Sequence, residues 1–137
     1  MPIIIATFSI ALFLIIFFFV KSKGGEDREG YKETKEKWSE IEELMKSNSN
    51  LSWKLAIIEA DKLMDSALKE AHMRGETMGE RLRFSVHKYP KMSKVWEAHI
   101  IRNNLVHERD SDINKKEAEK ALAIFKEGLK ILGVLQK

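Results

Sequence analysis

Three polar side chains stand in one row on a single helical stretch, MSKVWEAHIIRNNLVHERD, from Met92 to Asp110. His99, Asn103 and His107 are each four residues apart, so at 100° per residue they share a face. Arg102 sits beside Asn103 and five residues before His107, about 140° away on an ideal helix. Its long side chain can still swing round to a phosphate shared with that imidazole. Histidine is the side chain that exchanges a proton near neutral pH. Arginine presents a planar fork of donors that matches phosphate oxygens. Together these types suit proton transfer beside a bound anion. A metal site at His99 and His107 is poor, because eight residues put them some 12 Å apart along the axis.

The surroundings of that row are apolar. Met92, Val95, Trp96, Ile100 and Val106 fall within roughly 80° of Asn103, while Ile101 and Leu105 lie on the other side. A helix apolar on two faces is usually buried on both. One face can meet the domain's own core, and the other then needs a second molecule. The reading is a homodimer through helix 92–108.

The helices that must position this stretch are legible from periodicity. The first runs from about Tyr31 to Lys46, with Tyr31, Trp38, Ile41 and Met45 on one stripe. The second, from about Ser52 to Met73, has the clearest pattern: Trp53, Ala56, Ile57, Ala60, Leu63, Met64, Ala67, Leu68 and Ala71. Gly75 is read as its stop. A shorter piece begins at Thr77, where Glu80 has capping-box spacing, and fades at Tyr89-Pro90. After helix 93–108, the last helix starts at Asn114 with Glu117 three residues on, and continues to about Leu135. No strand pattern is present. Short links between helices predict an all-α antiparallel bundle of about four helices.

Residues 102 to 107, Arg-Asn-Asn-Leu-Val-His, carry an arginine, a polar residue, three others and a histidine. In a late helix of an all-helical domain this resembles the HEPN superfamily, and the resemblance covers about Tyr31 to Lys137. It implies a HEPN-like bundle and metal-independent RNA cleavage, with Arg102, Asn103 and His107 as the catalytic set. RNA supplies its own nucleophile, the 2′-hydroxyl. The enzyme then needs a group to move protons, His107, and a cation to hold the charged phosphate, Arg102. Asn103 would orient His107 or donate to the phosphate. The resemblance also implies that the motifs of two protomers meet at the dimer interface.

Two accessory residues stand beside that set. His99 is either a packed interface histidine or a second base. Glu59, flanked by Ile58 and Ala60, is either the acid that pairs with Arg102 or an ordinary solvated carboxylate. Arg81, Arg83, His87, Lys88, Lys91 and Lys94, with Phe84 and Tyr89 among them, form a basic stretch suited to an RNA backbone, to anionic headgroups or to plain solvent.

The N-terminus is of another kind. From Met1 to Val20 no side chain is charged, and Ile3 to Val20 reads IIIATFSIALFLIIFFFV. Some 19 helical residues would span roughly 28 Å, close to the hydrocarbon thickness of a bilayer. Nothing basic precedes the run, and its end is a poor cleavage site, so a removed signal peptide is disfavoured. The expected organisation is a transmembrane anchor over 1–20, in contact with lipid through residues 2–20, a polar linker over 21–30, KSKGGEDREG, and a helical domain over 31–137. Lys21, Lys23 and Arg28 predict a single-pass protein of the cell membrane with its soluble domain cytoplasmic.

The net charge of +3 permits nucleic acid as a partner without demanding it. There is no cysteine, which removes thiol nucleophiles, disulfides and zinc–thiolate sites. No Walker loop, Rossmann fingerprint, HExxH or GxSxG is present, so no cofactor is called for. The expected function is a membrane-anchored, metal-independent RNase. The alternative is a non-catalytic dimerising scaffold.

Overall fold

A computed structural model describes residues 2–108 and 111–136, and for 2–10 and 19–28 it describes the backbone alone. The chain is all-helical. Its described residues form α1 (Pro2–Leu44), α2 (Asn50–Glu70), α3 (Met78–Lys88), a 3-10 turn (Pro90–Lys94), α4 (Val95–His107) and α5 (Lys115–Ile131). It divides into two compact units, Met1–Glu33 and Thr34–Lys137.

The expected single-pass anchor over 1–20 is corrected. Among the described residues no helix is long and apolar enough to cross a membrane. In this run only 11–18 carry described side chains, all of them exposed. The side chains of 2–10 and 19–20 lie outside the described residues. The predicted cell-membrane localisation falls with the anchor. So does the predicted fold of about four antiparallel helices behind a transmembrane helix. The stretch 21–30, expected as a linker, is helical backbone within α1. Glycine there costs about 1 kcal/mol per residue, which disfavours a helix without forbidding it.

In the second unit, α2 is the hub and packs against α3, α4 and α5. Its stripe of Ala56, Ile57, Ala60, Leu63, Met64, Ala67 and Leu68 is buried throughout. From α1, Trp38 and Ile41 enter the same core, and α5 adds Ala118, Ala121, Leu122, Phe125 and Leu129. Gly128 lets α5 come close: a Cβ there would stand 2.5 Å from Met64 Cε and 2.7 Å from Val95 Cγ2.

Local chemistry sets the helix ends. The Thr77–Glu80 and Asn114–Glu117 capping boxes both form. Glu80 also accepts from the Glu76 amide at 2.7 Å, and these backbone hydrogen bonds, Glu76 first and then Thr77, hold its carboxyl below the usual range. The end of α2 differs from the expected stop at Gly75. The chain reverses at His72, whose φ of 55° is left-handed, while the Met73 amide bonds back to the Leu68 carbonyl. Gly75 serves a tighter purpose. At φ 143° it lies so close to α3 that a Cβ would stand 2.6 Å from Glu80 Cβ.

Candidate functional site

Proline at position 90 opens the 3-10 turn that delivers the chain to α4. Val95 and Ala98 are buried, and Ile101 and Leu105 pack half-buried against the core. Met92 and Val95, expected on the Asn103 side, are core residues. What remains beside Asn103 is a narrower exposed stripe. Trp96 is 38% exposed, Ile100 45% and Val106 47%.

The polar residues of α4 meet a carboxylate that the sequence pattern did not single out. Asp61 of α2 is 4% exposed. Its Oδ1 lies 2.8 Å from His99 Nδ1. A carboxylate only accepts, so Nδ1 carries the proton and Nε2 is left as an acceptor. Asn103 Nδ2 fills that role at 3.3 Å. Arg102 Nη1 donates to Asn103 Oδ1 at 2.9 Å, which fixes which end of the amide faces the imidazole. Arg102 Nε stands 3.3 Å from Asp61 Oδ2 but makes no hydrogen bond, so charge alone closes the ring. The Asp61 carboxylate and the Arg102 guanidinium thus stand on either side of the imidazole. The ring borders an open hollow of about 360 Å³ between α2, the start of α3 and α4.

Glu59, read as a possible partner of Arg102, instead bonds Lys62 at 2.7 Å near the surface. Two residues along a helix turn the side chain by about 200°, so Glu59 and Asp61 face opposite ways. A signal for Asp61 existed in the sequence. Ile57, Asp61, Met64 and Leu68 are spaced four, three and four, which puts a carboxylate on the apolar stripe. A charge there demands a partner.

His107 is separate from the ring. It ends α4, is exposed, and makes no hydrogen bond or ion pair among the described residues. It follows Asn103 by four residues, about 6 Å along the same side of the helix. The site residues read from sequence thus divide. Arg102, Asn103 and His99 come together on Asp61, while His107 stands apart one turn on.

The basic stretch divides as well. Arg81 is buried, with Nε 2.8 Å from Asp65 Oδ1 and Nη1 2.7 Å from the Gly75 carbonyl. Burial pushes the Asp65 carboxyl up, and the hydrogen bonds from Lys69 and Arg81 outweigh it, leaving the group below its ordinary value. Arg83, His87, Lys88, Lys91 and Lys94 remain at the surface. No protein-family model, curated protein or solved structure matches the chain.

Proposed function

We propose that the domain cleaves RNA without a metal and works as a homodimer through α4. The observation that carries this reading is the Arg102–Asn103 pair held by Asp61 and His99, one turn from an exposed His107. Both ring nitrogens of His99 are engaged, so His99 is a positioning residue. Arg102 is one-quarter exposed and keeps donors for a phosphate. His107 has the freedom a proton carrier needs. In the reaction, the 2′-oxygen attacks phosphorus as His107 takes its proton. The P–O5′ bond breaks, and the 5′-oxygen takes a proton from the protonated His107 of the partner subunit. Arg102 offsets charge on the non-bridging oxygens.

The test is the purified protein on single-stranded RNA. Products ending in 2′,3′-cyclic phosphate, inert DNA and insensitivity to EDTA are expected. Failure of the wild type to cleave varied RNAs overturns the reading. Cleavage at the wild-type rate in Arg102→Ala and His107→Ala does the same.

The exposed Ile100 and Val106 favour a second reading, a dimerising scaffold without catalysis. Val106→Glu separates the dimer from the chemistry. In a monomer the new charge stays solvated. In a dimer seam it costs several kcal/mol, and light scattering reports dissociation.

A further inference from the structure

A second feature lies next to the ring. Between α3, the 3-10 turn and α4 is an open cleft of about 390 Å³, within the range of small-molecule pockets, about 300–1,000 Å³. Leu82, Met92 and Val86 make its apolar wall, and Trp96 forms one side. Arg83 and His87 stand at its mouth. The indole has neighbours at both ends. Its far edge lies against Gly79, where a Cβ would be 3.2 Å from Trp96 Cη2. Its ring centroid is 5.9 Å from that of His99. The cleft and the Asp61–His99–Asn103–Arg102 ring therefore share a wall.

Charge selects among ligands for such a cleft. From Arg81 to Trp96 the chain holds no acidic residue. Arg81 is spent on Asp65, but Arg83, Lys88, Lys91 and Lys94 are at the surface. Lys91 and Lys94 also line the next hollow, where Lys120 and one acid, Glu127, join them. An apolar slot with an indole side and cations around it suits a flat aromatic group attached to an anionic chain. Single-stranded nucleic acid has that composition: bases stack on aromatic side chains while lysine and arginine track phosphates. A duplex hides its base faces and does not fit the slot.

We infer that the cleft bounded by Trp96, Met92, Leu82 and Val86 is a base-binding subsite for single-stranded RNA, with Arg83 and His87 meeting the adjoining phosphate. The subsite rests on the reading of RNA as the substrate. It adds to that reading where an unpaired nucleotide is held relative to Arg102. A base against Trp96 would lie on the indole that packs beside His99, one member of the ring that holds Arg102.

Binding is measured separately from cleavage with labelled 2′-O-methyl decaadenylate, which lacks the attacking hydroxyl, followed by fluorescence anisotropy on the full chain. The comparison probe is a 2′-O-methyl ribose-phosphate decamer without bases. Wild-type protein is expected to bind decaadenylate at least about tenfold more tightly than the abasic chain. Trp96→Leu is expected to remove most of that difference, leaving the dependence of log affinity on log salt unchanged. Arg83→Gln is expected to weaken both probes and to lower that salt slope by about 1. Equal affinity for the two probes overturns the subsite, and needs no variant. Wild-type affinity in a folded Trp96→Leu also overturns it. If Arg102- and His107-dependent cleavage of ordinary RNA persists in either case, only the subsite fails. If RNA is not cleaved but the base-dependent affinity depends on Trp96, the subsite stands and only the catalytic reading fails.

Discussion

The middle of α4 and its last turn carry similar side chains under opposite conditions. In the middle, His99, Arg102 and Asn103 share a hydrogen-bonded ring closed on a buried carboxylate. At the end, His107 faces solvent without such partners among the described residues. Residue type therefore does not assign the role. An imidazole with both nitrogens occupied holds its neighbours in place, and one with neither occupied is available to a substrate. The same contrast separates stability from activity, because the ring ties α4 to α2 and His107 ties nothing.

The strongest way to break this comparison is Asp61→Ala. It leaves the Arg102 charge without its counter-ion and the His99 Nδ1–H without its acceptor. Removing one partner of a buried pair costs about 3–5 kcal/mol. His107→Ala, at an exposed position, should stay within about 0.5 kcal/mol of wild type. Urea denaturation of the two variants checks both values. Equal stabilities would mean that the ring does not hold α4.

Next in size is the effect on the RNA cleavage proposed above. His107→Ala should lose about a hundredfold in rate with fold and dimer intact, the worth of general acid–base help. Arg102→Ala should lose a similar factor through lost charge stabilisation, and should also lower stability. A matched pair of rate and melting measurements checks the split. His107→Ala moving stability as much as rate would end the distinction between the two ends of α4.

Acid titration sharpens the picture at the neighbouring pair, one turn further along α2. Asp65 has a folded-state pKa below its unfolded value, about 3.9. Its stabilisation is therefore present above that value and lost as pH falls through the lower folded one. Denaturation midpoints of wild type should drop steeply below about pH 4. Asp65→Asn should flatten that dependence. An acid profile unaltered in Asp65→Asn would remove this pair from the stability of the α2–α3 junction.

The smallest effect is a control that touches neither end of α4. His72 adopts a left-handed conformation that costs most side chains about 1 kcal/mol or more. The corresponding position after α5 is Gly133, with φ 79°. His72→Gly should raise stability by about 0.5 kcal/mol, after the entropy that glycine adds to the unfolded chain. Thermal melting checks it, and cleavage should not change.

Much of the second unit is legible in the amino-acid sequence alone, because its signals are local. The stripes of α2 and α5 and the two capping boxes depend on residues three and four apart, and a helix brings those together by its own geometry. The alignment of His99, Asn103 and His107 on α4 is of the same kind. Partners across helices are not local. Only packing decided that Asp61 and not Glu59 meets Arg102, that Arg81 leaves the basic stretch to pair with Asp65, and that Met92 and Val95 belong to the core. The N-terminal run shows the limit from the other direction. Its apolar composition is plain in the sequence, but composition alone did not establish a membrane span. Periodicity determines which residues share a face, whereas the company that face keeps is set by how the helices dock, when buried charges and polar groups must all find partners at once.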